Sequence, residues 1–232
     1  MIKQKKEEKG LEERLAHVGK LTAGIGHNIM TPLSLIMMNA DLLSMKVKGD
    51  REFSAHLEEI IHQANVISKI AETMMWKVKA EEQTKRIAIQ IGDLAQENLN
   101  FWMGDMFFKH KLSKNFNINP HTPPIVGVPF HFTAFIDEWI TSVIERAQPI
   151  NGGKLVVEVD VDDEKEVFIQ FEDDLPLPAE EEVKILKSGC SDPASVDVFP
   201  ALTRLLGNHP GEITFDISGE KGVRLRLTWA LG

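Results

Sequence analysis

Two runs of apolar residues keep a helical spacing for longer than an ordinary globular helix needs, and they bound what this chain can fold into. The first passes through Leu11, Leu15, Val18, Thr22, Ile25, Ile29, Pro32, Ile36, Asn39 and Leu43. Its steps alternate four and three, the seam of a helix in a bundle or coiled coil. The beat stops around Lys48-Gly49-Asp50 and resumes at Leu57, Ile61, Ala64, Ile67, Ala71, Met74 and Val78. Two long helices joined by a short turn make an antiparallel hairpin. Such a hairpin encloses no core alone, so its apolar face is expected to meet a second copy in a four-helix bundle.

After Thr84 the pattern changes. RIAIQ reads as a strand, residues 92–111 as a helix, and NPHTPPIVGVP as a Pro-rich connection to a second helix over 130–147. Beyond Asn151-Gly152-Gly153, the segments LVVEVDV and EVFIQFE alternate as strands across the acidic turn DDEK. A helix over 200–207 and a last hairpin, EITFDIS and VRLRLTW, close the chain. The expected class is α+β: a helical hairpin over 1–84 that dimerises, then a two-layer α/β sandwich over 85–232.

Several function classes are disfavoured. The net charge of −9 argues against a nucleic-acid surface. No apolar run reaches the roughly 18 residues of a membrane span, and MIKQKKEEKG has no signal-peptide core. The single cysteine, Cys190, rules out an internal disulfide, and a cytoplasmic location is expected. His110, His121 and His131 lack metal-ligand spacing, and Asp160, Asp162, Asp163 and Glu164 read as a solvated turn, so no metal site is expected.

The segment GHNIMTPLSLI, from Gly26 to Ile36, interrupts the first helix with features foreign to it. With Ile25 and Ile29 on the seam, His27 falls on the outer face, and Thr31 lies one turn away on the same face. Pro32 has no N–H and crowds the carbonyl of Asn28, so a bend is expected there. Glycines 24 and 26 leave the surface around the imidazole bare. A lone histidine beside a kink is ordinarily just a surface histidine; this one is presented to something large.

LTAGIGHNIMTPLSLIMMNADLL resembles the phosphoacceptor segment of bacterial sensor histidine kinases, the first helix of their dimerisation and phosphotransfer domain. His27, Thr31, Pro32 and Leu33 match its pattern, which makes His27 the implied phosphoacceptor. Asn28 stands where the family carries Glu or Asp. It can hold the ring tautomer by a hydrogen bond but cannot take the proton that activates histidine toward ATP. Thr31 matches a position that helps orient water for dephosphorylation in such kinases. Met30, Ser34, Met37 and Met38 flank the seam. Two readings stand for the methionines: a docking surface for a receiver domain, or part of a wide buried stripe.

The remainder of the chain resembles the ATP-binding domain of the same kinases, with its nucleotide parts altered. In FIDEWITSVIER, Ser142 takes the place of the Mg²⁺-holding Asn, and Glu138 that of the earlier Asn. DDLPL keeps an adenine-reading Asp, Asp173, but Leu175 and Leu177 replace two glycines. ASVDV puts Ala194, Val196 and Val198 at the glycines of the phosphate loop, an alignment anchored on HPGEI. Glycine there permits positive φ and close approach of backbone N–H groups to phosphate, both of which valine disfavours.

ATP-dependent phosphoryl transfer is mostly positioning and charge neutralisation, so a chain without these parts is expected to do without ATP. Exchange between His27 and an aspartate of a response-regulator receiver needs no bound cofactor here, because the receiver brings Mg²⁺. The resemblance then implies a homodimeric phosphorelay histidine phosphotransferase. The alternatives are a sensor kinase core with a divergent ATP/Mg²⁺ site, and a non-catalytic regulatory module.

Overall fold

The computed structural model describes residues 29–45, 51–163, 165–188, 195–209, 211–217 and 222–230. The chain divides into two compact units, Met1–Lys79 and Ala80–Gly232.

In the first unit, residues 29–45 form helix α1, and a 32-residue helix, α2 (Arg51–Glu82), follows. The side chains withdrawn from water repeat every seven residues: Leu33 and Ala40 in α1, then Leu57, Ala64, Ala71 and Val78 in α2. Met30, Met37 and Ser44, and likewise Ser54, Ile61 and Ser68, are half-buried beside them. A row of this kind on each helix is the pattern of a packed hairpin, with alanines permitting a close approach. For α2 this is largely the predicted seam, although Ile67 is exposed. For α1 the buried row lies one residue further along than predicted. Ile29, Ile36 and Leu43, the expected seam, are 39%, 50% and 43% exposed. The predicted helix before residue 29 and the turn at 48–50 lie outside the described residues.

The second unit opens with β1 (Ile87–Ile89), α3 (Ile91–Trp102), α4 (Met106–Lys111), β2 (Leu112–Ile118), β3 (Ile125–Gly127) and α5 (Pro129–Ala147). There follow β4 (Gly153–Val161), β5 (Glu166–Asp173), α6 (Glu180–Lys187), α7 (Ser195–Val198), α8 (Pro200–Asn208), β6 (Glu212–Ile217) and β7 (Val223–Ala230). Five strands make one sheet in the order β2-β4-β5-β7-β6. β2 runs parallel to β4 and the other pairs are antiparallel. β1 and β3 form a separate antiparallel pair.

Period-two alternation explains the sheet's two faces. Leu155, Val157 and Val159 of β4, and Leu225 and Leu227 of β7, are fully buried, while Arg224 is exposed and Arg226 half-buried. The buried face receives α5: Phe135 meets Phe171 edge-on at 5.8 Å, and Trp139 lies 6.3 Å from the same ring. Buried aromatic and aliphatic side chains of this size contribute about 1.5–3 kcal/mol each. Polar ties then fix α3 against α5, with Trp102 Nε1 donating to Asp137 at 2.8 Å and Asn98 to the Thr133 carbonyl at 3.2 Å.

Three expectations need correction. The predicted helix over 92–111 is two helices, because the chain turns at Met103-Gly104-Asp105 and Asp105 caps α4 by accepting from Phe108 N–H at 2.7 Å. β2 stands between that helix and the Pro-rich connection, where no element is expected; the Lys114 ammonium donates to the Phe108, Lys109 and Leu112 carbonyls around the end of α4. β3 lies within the Pro-rich connection, where three residues are too few to show a period.

Candidate functional site

The site is built on one face of α5. Pro129 opens the helix with its φ already helical. Glu138, Ser142 and Arg146 then follow at four-residue steps and share a face. They line a cleft of about 500 Å³ together with Glu145, Leu177, Pro178, Glu182, Val198 and Phe199. The structure therefore brings together Ser142, Leu177 and Val198, which the sequence had placed at one nucleotide site.

Asp173, at the end of β5, meets Arg146 in a two-pronged ion pair: Nη1 to Oδ1 at 3.0 Å and Nη2 to Oδ2 at 2.7 Å. The pair is buried, with side-chain exposures of 9% for Arg146 and 1% for Asp173. Oδ1 also accepts from Leu175 N–H at 3.1 Å, and Arg146 Nη1 reaches the Pro176 carbonyl at 3.3 Å. Both carboxylate oxygens are thus committed within the chain. A bidentate guanidinium–carboxylate pair is a strong, directional contact, and opening it leaves a buried charge unpaired.

Leu175 is fully buried, a core residue although it lies in the loop between β5 and α6. Its side chain fills the space beside Gly153, where a Cβ would collide with Leu175 Cδ2 and where φ is +143°. Leu177 is 37% exposed at the mouth of the cleft.

Glu138 has another task. Its two oxygens accept from Ala201 N–H and Leu202 N–H, both at 2.9 Å, and so cap the start of α8 from a neighbouring helix. Burial pushes its carboxyl up from the ordinary range, while those two hydrogen bonds and Arg204 pull it back. Ser142 is half-buried at the cleft wall. Val196 and Val198 belong to a short helical turn, α7, rather than a glycine-like loop. Among the described residues no group of three or more His, Cys, Asp or Glu side chains is arranged to hold a metal.

In the first unit, Thr31, Ser34 and Met38 are exposed on α1, whereas Met30 and Met37 sit half-buried in the row that includes Leu33. Ser34 donates back to the Met30 carbonyl at 2.8 Å. Pro32 is exposed within the helical stretch. His27, Asn28, Ala194 and Cys190 lie outside the described residues.

Sequence reasoning missed Arg146 and the cap made by Glu138. The signal for Arg146 was its place one turn after Ser142 on the face already singled out. Nothing local marked Asp173 as its partner, 27 residues away.

The second unit is a mixed α+β domain in which helices cover one face of a five-stranded sheet. The chain matches no protein-family model and no curated protein. Solved structures similar to it include the Acinetobacter baumannii histidine kinase AdeS, at 12% identity and a TM-score of 0.47, covering 88% of this chain and 97% of that one. The histidine kinase domain of the Erythrobacter litoralis EL346 blue-light activated histidine kinase is similar at 14% identity and a TM-score of 0.44, covering 86% and 95%. The catalytic domain of histidine kinase ThkA is similar at 13% identity and a TM-score of 0.49, covering 63% and 95%. With TM-scores below 0.5, what the site does rests on its own geometry. No helix among the described residues is long and apolar enough to cross a membrane.

Proposed function

We propose that this chain is a two-component signalling protein that carries phosphate on His27 and exchanges it with an aspartate of response-regulator receiver domains, without using ATP. The observation that carries the second half of this reading is the buried Arg146–Asp173 pair. An adenine-reading carboxylate must be open to the base, and Asp173 is 1% exposed, with both oxygens already accepting from within the chain. The rest of the cleft agrees. Ser142 offers one short hydroxyl where Mg²⁺ would want a well-placed oxygen, Leu175 is core, and Glu138 is engaged in capping α8. These residues do not fit a magnesium–nucleotide complex.

The first half rests on the His27-x-x-x-Thr31-Pro32 pattern. In the transfer the imidazole attacks the aspartyl phosphate, the P–O bond to aspartate breaks as the P–N bond forms, and the receiver's Mg²⁺ stabilises the released carboxylate. Asn28 would hold the ring tautomer. The domain roles follow: 1–84 dimerises and carries the phosphate, and 85–232 is a nucleotide-free companion. A homodimer is supported by exposed Ile29, Ile36 and Leu43 on α1 and Ile60 and Ile67 on α2, apolar positions seven residues apart. Ser34 and Met38 are open to a receiver. A cytoplasmic location belongs to this reading.

The test is to offer a phosphorylated receiver to the protein. Label should move to the wild type and fail to move to His27→Ala, with the oligomeric state unchanged. Label on His27→Ala equal to that on the wild type overturns the assignment.

The second reading is an ATP-dependent histidine kinase, the activity by which the similar solved structures are named. The observation favouring it is the cleft itself, about 500 Å³ and open beside Ser142. Thermal melting with ATP and Mg²⁺ separates the two: saturable stabilisation supports the kinase, and none is expected.

A further inference from the structure

Helix α8 is fastened at both ends. Glu138 holds its start through the Ala201 and Leu202 N–H groups. At its end, His209 turns its ring back toward the start of α5. Its Nε2 accepts from Val128 N–H, the residue before that helix, at 3.3 Å, and lies 3.1 Å from His131 Nδ1. His209 is 3% exposed.

The donor at Val128 settles the tautomer. A backbone N–H points at Nε2, so that nitrogen carries a lone pair, and the neutral ring bears its proton on Nδ1. His131 then donates from its own Nδ1. A proton added to that lone pair would meet the Val128 N–H head-on and end the acceptance of both contacts.

We propose that His209 is an acid-released latch: neutral, it ties the end of α8 to the start of α5, and protonated on Nε2 it releases both. The charged groups facing the pair are Arg86, ahead of β1, and Arg204 on α8, both cationic. Burial, His131 and Arg86 hold the His209 imidazole down to about 4, against a favourable contribution from the Val126 backbone on β3. Burial and Arg204 also lower His131. Val198 and Phe199, which line the cleft, lead into the start of α8, the end that Glu138 goes on holding, so the release is confined to the far end of the helix.

The experiment is a pH titration of the full chain by NMR from about pH 7 to about pH 3, a window that starts above the ordinary 6.5 of histidine and runs past a midpoint of about 4. It follows the His209 ring signals and the exchange protection of the Leu205 and His209 amides, toward the end of α8. The latch requires the ring midpoint to lie well below the ordinary 6.5 and the α8 amides to lose protection at that same midpoint. In His209→Gln the amide side chain keeps a partner for Val128 N–H and takes no proton, so α8 should stay protected through that pH. His209 titrating near 6.5, α8 remaining protected through the ring midpoint, or equal loss in both proteins would each overturn the proposal. If the variant does not fold, the coincidence or separation of the wild-type midpoints still decides.

Discussion

Removing one partner of the Arg146–Asp173 pair tests the physics under the functional reading. In Arg146→Met the stem that packs near Trp139, 5.8 Å from the guanidinium to the ring centre, is largely kept, while the charge is lost. Asp173, 1% exposed, is left with the Leu175 N–H as its remaining hydrogen bond in the pair. Breaking a buried ion pair on one side costs about 3–5 kcal/mol, because the stranded charge has no water. In a domain of this size each kcal/mol moves the melting temperature by about 2–4 °C, so a fall on the order of 10 °C is expected. Thermal unfolding followed by circular dichroism measures it. The double variant Arg146→Met/Asp173→Leu removes both charges and should recover most of the loss. A single variant within about 1 kcal/mol of wild type would refute the reasoning, since it would mean that Asp173 has water or another partner, and is free to meet a ligand.

Other consequences are open to measurement. Gly153→Ala places a methyl group against Leu175 at a φ of +143°, so it should destabilise the domain by more than about 1 kcal/mol in urea unfolding. Glu138→Ala strips two charged acceptors from the start of α8 and should cost about 1–3 kcal/mol, with the largest loss of amide protection at Ala201 and Leu202. The His209 ring is held below its ordinary 6.5, so the unfolded chain takes that proton first. Its contribution is complete above 6.5 and lost as pH falls toward about 4, and the decline should flatten in His209→Gln. Glu138 has the opposite sign. Its carboxyl is raised above the ordinary 4.5, so as pH falls the folded state takes that proton first and gains stability; Glu138→Gln should remove this gain.

Much of the fold was legible because its signals are periodic. The strands β4, β5, β6 and β7 alternate cleanly, and α5 carries a stripe from Phe132 to Ile144 that only a helix explains. The seam of α1 was misread by one residue because the helix is apolar on two faces: Leu33 and Ala40 form one row, Ile29, Ile36 and Leu43 the other. Spacing gives the period but not which row meets the neighbouring helix. β2 hid because Lys114 interrupts the inward row of Leu112, Phe116 and Ile118, and its ammonium serves α4 instead. The Leu175 and Leu177 substitutions were readable one position at a time. The Arg146–Asp173 ion pair was not, since it joins a helix to a strand end across 27 residues. Capping of α8 by Glu138 is longer still in range, at 63 residues.

The most direct measurement offers the wild-type protein radiolabelled phosphate from two donors in parallel: a phosphorylated receiver domain, and ATP with Mg²⁺. The account predicts label on His27 from the receiver and none from ATP. Label taken from ATP while the receiver gives none would contradict it.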